Sequence, residues 1–193
     1  MSDPVITKRI GSALVIRFNR PESRSPLSVA VLSAVEAILD ELTGVGRVAF
    51  TGTGVVFASG ADLREIADVN ADTARAFAQR GQRLMDRIAS LAQETTAAIN
   101  GPCYGGALDL ALACSRRIAS PAATFCHPGV RLGIITGWGG TQRLPRLIGR
   151  APALEMFFTA EPIDAQCALR LGLVLAVAAD PLACALEGTA AYV

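Results

Sequence analysis

Asp109 lies three residues after Gly106 in the run Asn100-Gly101-Pro102-Cys103-Tyr104-Gly105-Gly106-Ala107-Leu108-Asp109. Asn100-Gly101 is a turn signal, and the glycine pair opens a small apolar stretch, ALDLALAC, that reads as a helix. A helix N-terminus offers free N–H groups and the positive end of its dipole to an anion. Gly106 presents its N–H with no side chain in the way. Three residues is nearly one turn, so Asp109 and Gly106 can face the same ligand. A carboxylate among Leu108, Leu110, Ala111 and Leu112 is expected to have a raised pKa, which suits acid/base work. The alternative is that Asp109 only complements the helix dipole from its first turn. A second loop, Phe57-Ala58-Ser59-Gly60-Ala61-Asp62-Leu63, contains small residues that let a ligand approach the backbone. Neither stretch is a phosphate-cradling G-x-x-x-x-G-K-[ST] loop, because no Lys follows.

The elements around these loops can be read from periodicity. Val5 to Arg9 and Ala13 to Phe18 are expected strands joined by a turn at Gly11-Ser12. Ser28 is placed to cap a helix to about Leu42, with Val31, Leu32, Val35, Ile38, Leu39 and Leu42 at helical spacing. Arg47 to Thr51 is a strand leading into the first loop. Ala71 to Ala92 is a long amphipathic helix with an Arg-rich outer face. Ala97 to Ile99 is the strand before the second loop. Short strands are expected near Arg117–Ala119, Ala123–Cys126 and Leu173–Val177. Shorter helices are expected over Thr141–Ile148, Ala151–Thr159 and Asp164–Leu171, with Gly172 as a stop. Strands and helices alternate, so the fold class is α/β with a recurring β-β-α theme.

Composition bounds the rest. The 193 residues suit one domain, and 51% hydrophobic against 18% charged residues argues against disorder. Eighteen basic and 17 acidic residues give a net charge of +1, so neither nucleic acid nor an anionic membrane is expected as a partner. Arg143, Arg146 and Arg150 read as a solvated helix face. Five cysteines without a C-x-x-C pair read as reduced, buried thiols of a cytoplasmic protein. One histidine and scattered cysteines make no metal site. The N-terminal MSDPVITKRI has acid and proline where a signal peptide needs an apolar core, and the apolar runs are too broken to span a membrane.

The segments FASGADL, AAINGPCYGGALDLALACSRRIAS and GIITGWGGTQRLPRLIGRAPALEMFFTAEPIDAQCALRLGLV resemble the enoyl-CoA hydratase/isomerase (crotonase) superfamily. FNRPESRSPLS is similar to that family's first CoA-contacting loop, and the likeness runs from about Ala13 to Val177. The resemblance implies a spiral of β-β-α units, assembled as homotrimers or as hexamers of paired trimers. It implies an acyl-CoA substrate and no cofactor beyond the coenzyme A of that substrate. By motif position, the Ala61 and Gly106 N–H groups bind the thioester oxygen and stabilise its enolate, with Asp109 as acid/base. Ser23, Arg24, Pro26, Ala58, Ser59, Gly60, Asp62 and Leu63 fall where the family contacts CoA, and Tyr104 and Gly105 fall beside the acyl group. Tyr104 lines the pocket or is buried with its hydroxyl paired.

Two departures from the family pattern stand out. Hydratases of this superfamily use two glutamates to handle water. Asp109 stands at the first position, and Gly129, in CHPGV, stands at the second. Replacements for the lost carboxylate are His127, as a base near neutral pH or a satisfied structural residue, and Thr136, as a reaction-specific group or a turn hydroxyl. Trp138 reads as packing. The family also continues further in C-terminal helices, so a shortened C-terminal helical region is expected where this chain ends at Ala191-Tyr192-Val193.

Overall fold

The computed structural model describes residues 3–187, so Met1-Ser2 and the Ala191–Val193 terminus lie outside the described residues. Two strands, β1 (Val5–Ile10) and β2 (Ala13–Phe18), form an antiparallel hairpin about Gly11, whose φ of 58° suits a residue without Cβ. Helix α1 (Val29–Asp40) starts where Ser28 accepts from Val31 N at 3.3 Å. Strand β3 (Arg47–Gly52) is followed by α2 (Leu63–Ala67) and α3 (Ala74–Ala89). Next come β4 (Glu94–Ile99), β5 (Cys103–Tyr104) and α4 (Gly106–Ala113). The chain continues through β6 (Arg116–Ala119), β7 (Thr124–Cys126), a 3-10 turn at Pro128–Leu132, α5 (Gly140–Ile148) and α6 (Arg150–Thr159). It closes with β8 (Ile163–Asp164), α7 (Ala165–Arg170), β9 (Ala176–Val177) and α8 (Pro181–Glu187).

Six strands form one sheet in the order β1-β2-β3-β4-β6-β9, parallel except for the β1–β2 hairpin. A smaller sheet, β5-β7-β8, stands beside it. The path has a repeating logic: β4 joins the large sheet, β5 the small one, and α4 follows; then β6, β7 and α5 do the same. That is the expected spiral of β-β-α units. Strands β3 and β4 are buried on both faces because helices or the second sheet cover each side.

Helix α4 runs through the centre, with every residue buried. Leu108 and Leu110 are fully buried, each worth roughly 1.5–3 kcal/mol. Its C-terminal end is held by the buried guanidinium of Arg117, which donates to Cys114 O at 2.7 Å and Leu173 O at 2.7 Å. Asp109 is the sole charged residue in an otherwise apolar helix.

Several boundaries differ from expectation. The long helix expected at 71–92 is shorter, because Asn70 and Thr73 hydrogen-bond each other's backbone in a turn ahead of it. Helix α2 and strand β5 were hidden by their length, five and two residues. The strand expected over Leu173–Val177 is only Ala176–Val177. Cys103, Cys114 and Cys126 are buried, Cys167 and Cys184 are half-buried, and no disulfide forms among the described residues. No helix among the described residues is long and apolar enough to cross a membrane.

Candidate active site

The first loop, following β3, is fastened to the end of β4 by one side chain. Asn100 Oδ1 accepts from Gly52 N at 2.9 Å, and its amide donates to Gly54 O at 2.9 Å and Val56 O at 3.2 Å. The two loops then run side by side. Phe57 N and Ala58 N donate to Pro102 O, and Tyr104 N donates to Ala58 O at 3.3 Å. Gly101 is needed here because a Cβ would lie 1.9 Å from Val55 O. The alignment brings Gly60–Ala61 against Gly105–Gly106. A Cβ on Gly60 would lie 2.7 Å from Tyr104 O and 3.1 Å from Gly106 N, and φ at Gly60 is 97°. A Cβ position on Gly106 falls 3.2 Å from Ala61 N.

Neither the Ala61 nor the Gly106 N–H donates to another described residue. Gly106 is the first residue of α4, so its N–H lies among those without an intrahelical acceptor. Both residues line a cavity of about 340 Å³ whose wall is mostly apolar, with Leu63, Ile66, Phe77 and Ile135 among its residues. Ser59, Gly60 and Gly105 also line it. Two neighbouring backbone donors, one of them at a helix start, are able to receive an oxyanion.

Asp109 faces the same cavity and is fully buried. Its Oδ2 accepts from the Thr136 hydroxyl and from Trp138 N at 3.3 Å. Its Oδ1 has no hydrogen-bond partner of good geometry among the described residues and lies 3.8 Å from His127 Nε2. Burial pushes its pKa from 3.8 to about 6, against the pull of Thr136, the Trp138 N–H, Arg143 and the Gly140 N–H. The raised pKa anticipated from its apolar neighbours is therefore present. Burial drives His127 the other way, down to about 4, so its ring is neutral at physiological pH.

The expected site residues divide. Asp109, Ala61, Gly106, Gly105, Ser59, Gly60, Leu63, His127, Gly129 and Thr136 all reach the cavity. Thr136 is not a mere turn hydroxyl, since it donates to Asp109. Both His127 ring nitrogens are buried without a hydrogen-bond partner among the described residues, unlike those of a satisfied structural histidine. Tyr104 does not line the cavity; its hydroxyl pairs with Thr124 Oγ1 at 3.0 Å. Ala58 is buried in a bridge to Cys103. Asp62 caps α2, accepting from Arg64 N at 2.9 Å, and its ion pair with Arg64 holds its carboxyl below the usual range. Ser23, Arg24 and Pro26 lie outside the cavity wall, on the segment whose Leu27 N donates to Gly60 O at 2.8 Å. Arg24 and Ser25 both adopt positive φ, which shapes that segment into a tight loop beside Ala61.

Three features escaped the sequence. A Cβ on Gly129 would lie 2.6 Å from Ile134 O, so the place of the absent carboxylate is filled by backbone. Gly140 must be glycine because a Cβ there would lie 2.1 Å from Asp109 Oδ1. Trp138 packs as expected, but the slot that its ring fills was not foreseen: it is made by Gly81 and Gly106, where added Cβ atoms would lie 2.1 and 2.5 Å from the indole. The glycine-rich GWGGTQ run was the available signal for the last two.

The family model described as enoyl-CoA hydratase/isomerase matches residues 9–186. The short-chain-enoyl-CoA hydratase of Clostridium acetobutylicum is 38% identical over 174 residues, covering 88% of this chain and 67% of that protein. The probable enoyl-CoA hydratase of Bacillus subtilis is 41% identical over 170 residues, covering 86% of this chain and 66% of that protein. The enoyl-CoA hydratase structure from Bacillus anthracis superposes with a TM-score of 0.90 at 36% identity, over 96% of this chain and 74% of that one. The chain thus spans about two thirds of the length of these curated relatives. A match running almost end to end, on a fold shared with solved relatives, makes this chain a member of the enoyl-CoA hydratase/isomerase (crotonase) family of enzymes.

Proposed function

We propose that the protein binds an acyl-CoA thioester, holds the thioester oxygen between the Ala61 and Gly106 N–H groups, and moves a proton on the resulting enolate with Asp109. The carrying observation is the pair of unpartnered backbone donors opening onto the same cavity as a buried carboxylate of raised pKa. Donors fixed before reaction cost no reorganisation as charge develops, and losing one typically costs about 10²–10³ in rate. The apolar wall suits an acyl chain, and Ser59 and Leu63 mark the side expected for coenzyme A. Hydration of a 2-enoyl-CoA and isomerisation of a 3-enoyl-CoA are the reactions within reach. No cofactor beyond the substrate's own coenzyme A is needed for either.

The test is direct. The purified protein is incubated with 2-enoyl-CoA and 3-enoyl-CoA, and both products are followed. Turnover that falls about 10²-fold or more in Asp109→Asn supports the reading. If neither thioester is converted, and Asp109→Asn alters nothing across a wider panel of thioesters, the reading fails.

One observation favours a second reading, a CoA-binding protein without turnover: the backbone of Ile134 occupies the space beside Gly129. Calorimetry with an acyl-CoA separates the two, since binding without conversion belongs only to the second. A cytoplasmic homotrimer or hexamer is the proposed setting. Exposed Phe158, Val55 and Leu175 support an assembly, because a subunit interface is a natural cover for large apolar side chains. The near-neutral charge gives no support to a nucleic-acid partner.

A further inference from the structure

Buried polar atoms without partners are rare, because each has forfeited its hydration. Three stand together on the cavity wall: Asp109 Oδ1 and both ring nitrogens of His127. The two side chains are 1% and 2% exposed, and the 3.8 Å between Oδ1 and Nε2 is too long for a direct hydrogen bond. Gly140 packs directly against them, since a Cβ there would lie 2.1 Å from Oδ1 and 3.0 Å from His127 Cε1. The Phe157 ring, 5.1 Å from the imidazole, covers His127 without offering a polar partner.

We propose that His127 and Asp109 together seat one oxygen, the water that adds to the β-carbon of a 2-enoyl thioester, so that His127 stands in for the carboxylate absent at Gly129. This rests on the enolate reading above and adds to it the nucleophile and its second holder.

A neutral imidazole carries one donor and one acceptor nitrogen, enough to orient a water. His127 resists protonation because of its burial, so it orients the water and leaves proton transfer to Asp109. The water oxygen forms the C–O bond at the β-carbon as its proton passes to Asp109. The π pair of the C=C bond moves into the enolate, whose negative oxygen lies against the Ala61 and Gly106 N–H groups. The enolate re-forms its carbonyl by taking that proton from Asp109 at the α-carbon. One O–H bond breaks, one C–O and one C–H bond form, and Asp109 returns to carboxylate.

The test uses two variants and two readouts on the full chain. His127→Leu removes both nitrogens at similar bulk, and His127→Gln keeps a neutral donor and acceptor. One readout is hydration of 2-enoyl-CoA. The other is exchange of α-hydrogens of a saturated acyl-CoA with D₂O, which needs the enolate and Asp109 but no attacking water. We expect His127→Leu to lose at least about 10²-fold in hydration while exchange stays within about threefold of wild type. His127→Gln should hydrate within about tenfold of wild type. Unchanged hydration in His127→Leu, joint loss of hydration and exchange, or equal loss of hydration in both variants overturns the water seat. So does a wild-type protein that exchanges but does not hydrate, and that result leaves the enolate reading standing. A wild-type protein that does neither overturns the enolate reading itself.

Discussion

Asp109 is held in a position that costs the fold stability. Its carboxyl titrates near 6 in the folded protein against an ordinary 3.8. A raised folded pKa means the contribution to stability is full below about 3.8 and is lost as pH rises through 6. Two units correspond to about 3 kcal/mol at pH 8. Asp109→Asn, which keeps an acceptor for Thr136, is therefore expected to raise the unfolding midpoint in denaturant at pH 8 while removing activity. A lowered midpoint would show that the carboxylate is better paired than its surroundings indicate. On the proposed mechanism the same residue sets the pH profile of turnover. The proton acceptor is the ionised form, so kcat/KM should fall on the acid side of about pH 6 and level off above it. A profile flat down to pH 4.5 would remove Asp109 from the proton-transfer step.

Among the elements, the loops after β3 and β4 form a single device, and Asn100 joins them. Three backbone groups depend on its side chain: Gly52 N, Gly54 O and Val56 O. Asn100→Ala would leave the buried Gly52 N–H unsatisfied, while the exposed Gly54 O turns to water, at about 1–3 kcal/mol in stability. It should also let Gly60–Ala61 drift from Gly105–Gly106, lowering kcat more than it raises KM, as steady-state kinetics would show. Restoring a carboxylate with Gly129→Glu is expected to fail for a packing reason. The new Cβ would lie 2.6 Å from Ile134 O, so the 3-10 segment must shift, costing roughly 1–3 kcal/mol, and hydration should not rise. A variant that hydrates faster than wild type would show that the loop yields easily.

For the whole molecule, the two buried titratable groups of the cavity oppose each other. His127, held near 4 from an ordinary 6.5, loses stability as pH falls through that window, while Asp109 gains it. At pH 5 the folded pair carries one proton, on Asp109, and the unfolded pair also carries one, on His127. Equal proton counts make the pair's contribution nearly independent of pH between about 4 and 7. Asp109→Asn should uncover the His127 slope, with stability falling by about 1.4 kcal/mol per pH unit below 6.5. Urea melts across that range, compared with wild type, would check this, and parallel slopes would count against it. Ligand binding should also act on the whole fold. Acyl-CoA at 100 times its Kd stabilises by about 2.7 kcal/mol, and for a chain of this length that raises Tm by roughly 5–10 °C.

The sequence by itself determined a good deal. Apolar periodicity marked α1, the β1–β2 hairpin and β3, because each has a buried face or core that repeats at its own period. The motifs SGAD and YGGAL pointed to Ala61 and Gly106 through the family resemblance, and their glycines permit the close approach of the two loop backbones. Asp109 was legible as an odd carboxylate in an apolar helix. The tertiary structure decided what these residues touch. Thr136, Trp138 and His127 meet Asp109 across 18 to 29 residues of chain, a juxtaposition that no local pattern encodes. The filled space at Gly129 came from the backbone of Ile134, invisible in side-chain types. Short elements such as α2 and β5 escaped because their stability comes from neighbours rather than from their own residues. Residue type marked the carboxylate and motif resemblance the proposed donors, while packing chose which polar atoms line the cavity without a partner.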